Sequence, residues 1–155
     1  MAVFKASDEA YYRQVPSWFA DALPAGDDED KSAMFFLSDG DKEAWDQPAV
    51  VVLEMPPGFV LMRHAHPSHR VEVVVKGSLT TEHGVVLGPG DVMVAGPGEL
   101  YGPKIIGPEG CTTAEVFGRA EAIIRIVADS SEGFREHDLR TGDLPRDLVI
   151  PRREG

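Results

Sequence analysis

Short apolar runs alternate with glycine and proline clusters along most of this chain. The runs are rich in Val, Ile, Phe and Thr. They cover Met34 to Leu37, Ala49 to Met55, Phe59 to Met62, Val71 to Val75, Ser78 to Glu82, Val92 to Ala95, Thr112 to Phe117 and Ala122 to Val127. Between them stand Pro56 to Gly58, Gly88 to Gly90, Gly96 to Gly98, Gly102–Pro103 and Gly107 to Gly110. Glycine supplies positive φ and proline a fixed φ, so such clusters read as turns between strands. Short β-branched segments at this spacing predict an all-β sandwich or barrel. The ends differ. Ser7 to Tyr12 and Ser17 to Leu23 predict brief helices, the second bounded by Pro16 and Pro24. The polar, proline-punctuated tail after Ser130 predicts an irregular arm lying on the barrel or on a partner subunit.

Within the runs, the alternation raises a conflict. Val71, Val73 and Val75 form a wholly apolar face, while Arg70, Glu72, Val74 and Lys76 form a mixed one. Plain alternation would bury the valines and expose Glu72. The most distinctive chemistry lies just upstream, between Gly58 and His69. His64 and His66 stand two apart, so on a strand they share one face with Val60 and Met62. Two imidazoles converging on one side supply half of a four-ligand metal site. His69 follows across a turn at Pro67 and Ser68, and Glu72 lies three residues further on. A His64–His66–His69 triad completed by Glu72 is a reasonable shell for a divalent metal, with Fe, Zn, Ni and Mn all compatible.

Length and charge narrow the function classes. At 155 residues, the chain is expected to form a single domain over 1–155. Its net charge of −11 and scattered Lys and Arg argue against nucleic acid, whose phosphates need clustered cations. No apolar run reaches the roughly eighteen residues of a membrane helix. The N-terminus shows no secretory pattern, and the one cysteine, Cys111, fits a reducing compartment and reads as a core residue. A cytoplasmic protein without membrane contact is expected. His83 and His137 stand alone and are expected at the surface.

The spacing resembles the two motifs of the cupin superfamily. The first, G-x5-H-x-H-x3,4-E-x6-G, is matched by Gly58, His64, His66 and Gly77; the second, G-x5,6-P-x-G-x2-H, by Gly90, Pro97 and Gly98. The resemblance spans 58–101, extends through the flanking strands over about 34–128, and implies a single RmlC-like jelly-roll barrel with a short, partly helical N-terminal segment. It also implies that Arg70, Glu72 and Val74 point inward, leaving the valine face to an N-terminal segment or a second subunit; a homodimer is therefore expected. Two positions depart from the motifs. The family's glutamate ligand falls at Arg70, and its last histidine at Tyr101. Arginine is always protonated and repels a cation.

Two functions follow from the resemblance. One is a divalent-metal cupin with dioxygenase-like or isomerase-like chemistry on a small organic substrate, using His64, His66 and His69 or Glu72 as ligands. The other is a non-enzymatic small-molecule-binding cupin with a degenerate metal site. In either case Met62, Arg70, Val74 and Tyr101 are expected to line the pocket.

Overall fold

The computed structural model describes residues 3–8, 11, 33–37, 45–130, 133–143 and 145. Ser17 to Leu23, expected as a helix, lies outside the described residues. Antiparallel strands account for most of the rest. They are β1 (Ala33–Leu37), β2 (Ala49–Met55), β3 (Val60–Leu61), β4 (His64–Ala65), β5 (Arg70–Thr80), β6 (Val86–Leu87) and β7 (Val92–Ala95). After them come β8 (Lys104–Phe117), the one-turn helix α1 (Glu121–Ile124), β9 (Arg125–Ser130) and β10 (Gly133–Asp138). One sheet runs β1-β2-β8-β5-β6, with β3 also on β8 and β7 also on β5; a smaller sheet runs β10-β9-β4. This is an all-β jelly roll.

Several expected bounds change, each for a physical reason. Gly77 was expected to separate two runs, yet β5 passes through it as one strand, with register shifts against β8 on either side. A bulge inserts a residue without ending the ladder. The run from Ala122 opens as helix α1, because Ala120 and Glu121 donate their amides to Gln47 and Trp45 carbonyls before the strand begins. The tail after Ser130 is more regular than its polarity suggests: β10 pairs with β9 from Gly133 to Asp138. His137 on β10, expected at the surface, is 1% exposed.

The conflict on β5 resolves inward for the charges. Arg70 and Glu72 are buried with Val74, while Val75 is 55% exposed. Opposite them on β8, Thr113, Glu115 and Phe117 point inward as well. The register explains why these faces coincide: Glu72 pairs with Glu115 and Val74 with Thr113. Below this polar layer, Met55, Leu61, Val74, Leu79, Ile106 and Cys111 form one apolar cluster, and Ala49, Val51, Phe117, Ala120, Ala122 and Ile123 form another. Val92, Val94 and Val116 stay exposed on the outer face.

Gly77 is the glycine whose replacement the fold tolerates least. Its φ is +72°, and a Cβ there would overlap the carbonyl oxygen of Gly110 on β8. Gly84 has φ +77° but open space around it. We expect Gly77→Ala to cost at least about 3 kcal/mol, a Tm loss on the order of 6–12 °C for a chain of this size. Gly84→Ala should cost only about 1–2 kcal/mol, from the φ penalty alone. Thermal unfolding of both variants checks this; equal losses would remove the role assigned to the Gly110 contact.

Candidate functional site

Both histidines are fixed by backbone contacts. The His64 amide and carbonyl exchange hydrogen bonds with those of Tyr101, each 3.0 Å, while β4 pairs with β9 opposite Ala128 and Val127. Ala65 and Ala128 are fully buried, and such small side chains let the strands pack closely here. The His66 carbonyl accepts from Gly98 at 2.8 Å. His64 Nδ1 lies 2.8 Å from the Met62 carbonyl and His66 Nδ1 2.6 Å from the Ala122 carbonyl. A carbonyl only accepts, so each ring carries its proton on Nδ1 and presents a lone pair on Nε2. Burial drives the His64 pKa down to about 3 and the His66 pKa to about 4; the neighbouring His66 adds to the first, and Glu115 partly opposes the second. Both rings are neutral at pH 7.

Tyr101 fills the position where the family's last histidine falls. Its hydroxyl donates to His64 Nε2 at 3.0 Å, and its ring packs edge-on to His64 with centroids 4.6 Å apart. Burial holds the phenol well above its usual pKa, so it stays protonated. The Arg70 guanidinium lies over the Tyr101 ring at 4.1 Å from the centroid, and Lys104 Nζ lies 4.7 Å from the same centroid. Cations over a desolvated aromatic face are attracted by its quadrupole.

Beneath the rings is a buried charge network. Arg70 Nη1 donates to Glu72 Oε2 at 2.6 Å and to Glu115 Oε2 at 2.8 Å, and Lys104 Nζ donates to Glu72 Oε2. Burial alone would raise the Glu115 pKa, but Arg70 and then Lys104 pull it to about 2. Burial lowers the Lys104 pKa, opposed chiefly by Glu72. Arg70 Nε, Glu72 Oε1 and Thr113 Oγ1 are buried without a hydrogen-bond partner among the described residues.

These placements sort the expected site residues. His64, His66, Arg70 and Tyr101 come together. His69 is exposed beyond the Pro67–Ser68 bend, so the triad does not assemble. Glu72 is buried nearby, but one of its oxygens is held by two cations. Val74 belongs to the apolar cluster, and the Met62 side chain packs on Ile126, Ala128 and Leu139, contributing only its carbonyl to His64. Lys104, Glu115 and Thr113 were not expected. The available signal was the alternation of Thr113, Glu115 and Phe117 on β8, which repeats the inverted pattern of β5.

The donor set does not fit a divalent cation. No group of three His, Cys, Asp or Glu side chains that could hold a metal occurs among the described residues. The His64 lone pair is already accepting from Tyr101, and two protein cations stand against the same phenol ring. Among the described residues, no helix is long and apolar enough to cross a membrane.

No family model and no curated protein sequence matches the chain. Solved structures do. A protein of unknown function with a cupin-like fold from Ralstonia eutropha JMP134 superposes with a TM-score of 0.51 at 12% identity, over 72% of this chain and 68% of that one. A chain from the Rhodobacter sphaeroides complex of SigE with the anti-sigma ChrR gives a TM-score of 0.42 at 20% identity, over 46% of this chain and 39% of that one. Bacillus subtilis oxalate decarboxylase, a protein with Mn(II) centres, gives 0.45 at 21% identity, over 57% of this chain and 25% of that one. The chain thus spans well under half of the last two. The first likeness shows the fold.

Two outcomes are expected from this geometry. Glu72→Leu should destabilise by about 3–5 kcal/mol, since Arg70 and Lys104 lose a shared acceptor, whereas Glu72→Leu/Lys104→Met should recover at least about 2 kcal/mol by leaving a neutral Arg70–Glu115 pair. A urea-unfolding double-mutant cycle measures this, and additive losses would contradict it. The second concerns pH. The folded histidine pKa values lie below the unfolded 6.5, so the unfolded chain binds more protons between them and stability falls as pH drops. Wild type should lose up to about 3 kcal/mol per ring between pH 6.5 and pH 4. In a Tm–pH profile, His64→Gln/His66→Gln should flatten that window; an unchanged slope would contradict the assignment.

Proposed function

The chain is a cupin by fold, and we propose that it binds a small polar organic molecule in the barrel without a metal. The observation that carries this reading is Arg70. Its position is where the family's glutamate ligand falls, and with Lys104 it already neutralises the buried carboxylates of Glu72 and Glu115 that could otherwise balance a cation. A divalent ion at the histidines would have to displace the Tyr101 hydroxyl from His64 and then sit one aromatic ring away from both cations. Neutral imidazoles, a phenol and buried charged groups offer hydrogen bonds inside a β-barrel, a fold whose mouth commonly holds small-molecule sites. One observation favours a metal instead: carbonyls hold both Nδ1 atoms, an arrangement that also orients imidazole ligands. The same experiment separates the two.

Untagged protein is exposed in turn to iron, zinc, nickel and manganese, desalted, and analysed for bound metal. Wild type should retain well under one equivalent of each, no more than His64→Ala/His66→Ala. Arg70→Glu/Tyr101→His, which restores the family's donor types, should retain more of at least one metal. About one equivalent in wild type, lost in His64→Ala/His66→Ala, would overturn the reading.

A further inference from the structure

We infer that the site takes an uncharged, hydroxyl-bearing organic molecule and discriminates against both the carboxylate and the ammonium forms of the same skeleton. This rests on the metal-independent reading above and names its ligand class. The first argument is charge balance. Two cations, Arg70 and Lys104, meet two anions, Glu72 and Glu115, through direct contacts, and the set sums to zero. His64 and His66 add nothing, because burial keeps both rings neutral and the carbonyl beside each Nδ1 holds the one proton there. A carboxylate entering here meets Glu115 and Glu72 with their counter-cations already engaged. An ammonium meets Arg70 and Lys104. An uncompensated charge in such surroundings costs several kcal/mol.

The second argument is hydrogen-bond demand, which excludes an apolar ligand. A buried polar atom left unpaired costs about 1–3 kcal/mol, and three occur on the paired strands β5 and β8: Arg70 Nε, Glu72 Oε1 and Thr113 Oγ1. Arg70 Nε can only donate and Glu72 Oε1 can only accept. His66 Nε2 offers a lone pair with no hydrogen-bond partner among the described residues. His64 and His66 are each 7% exposed and Thr113 and Glu72 0%, so the imidazoles are the more accessible of these groups. The demand is mixed. Carboxylate oxygens accept only and ammonium groups donate only, whereas a hydroxyl does both.

The test uses a matched series with one skeleton: 4-hydroxybenzyl alcohol, 4-hydroxybenzoate and 4-hydroxybenzylamine. Each is titrated into the full chain in the presence of EDTA, following the ¹⁵N shift of the His66 ring and the Tm. The alcohol should bind at least tenfold more tightly than either charged analogue. Glu115→Gln, which leaves the network one positive charge in excess, should move the preference toward the benzoate. Should that variant fail to fold, the wild-type series decides alone. A charged analogue binding as tightly as the alcohol would overturn the ligand class and leave the metal-independent reading intact. Binding seen only after metal replaces EDTA would overturn both. No His66 shift with any of the three would mean that water alone satisfies these atoms, and would also overturn the inference.

Discussion

Glu72 and Glu115 face each other across the β5–β8 ladder inside the barrel, and the site is organised around that juxtaposition. Like charges directly opposite on adjacent strands repel, and each buried carboxylate also loses its water. The arrangement is tenable because Arg70 bridges the two carboxylates and Lys104 meets Glu72 from the far end of β8. The cations are in turn held against the Tyr101 ring, which ties the network to the histidine strand. Removing Arg70 leaves Glu115 without its counter-ion, and removing Glu72 leaves Lys104 without one.

Burial keeps the imidazoles beside this network neutral, and two backbone carbonyls settle which nitrogen keeps its lone pair. At the two departures from the motif stand a guanidinium and a phenol, and the guanidinium is neutralised by Glu72 and Glu115.

The strand pattern was legible where turns isolate an apolar run. Ala49–Met55 and Val92–Ala95 have the expected bounds, because proline and glycine punctuate nearby. It was less legible where glycine acts within a strand, as Gly77 does by approaching the Gly110 backbone. A short apolar run such as Ala122 to Val127 suits helix and strand equally, and tertiary hydrogen bonds to Trp45 and Gln47 start the helix. β10 escaped notice for the opposite reason: most of its side chains are exposed, and its strand character comes from pairing with β9.

The sequence by itself determined the barrel class, the placing of His64 and His66 on one strand, and the presence of Arg70 and Tyr101 at two positions of the motif. All of these are matters of spacing along the chain. Only the tertiary structure decided that His69 stays outside, that one Glu72 oxygen is shared by two cations, and that Glu115 meets Arg70 and Lys104 meets Glu72. Alternation assigns residues to one of two faces but does not say which strands will face each other. Arg70 and Glu115 are 45 residues apart, and Lys104 and Glu72 are 32 apart. Their contacts exist because the β5–β8 register brings those positions together, and the low dielectric of the interior requires the charges gathered there to be paired.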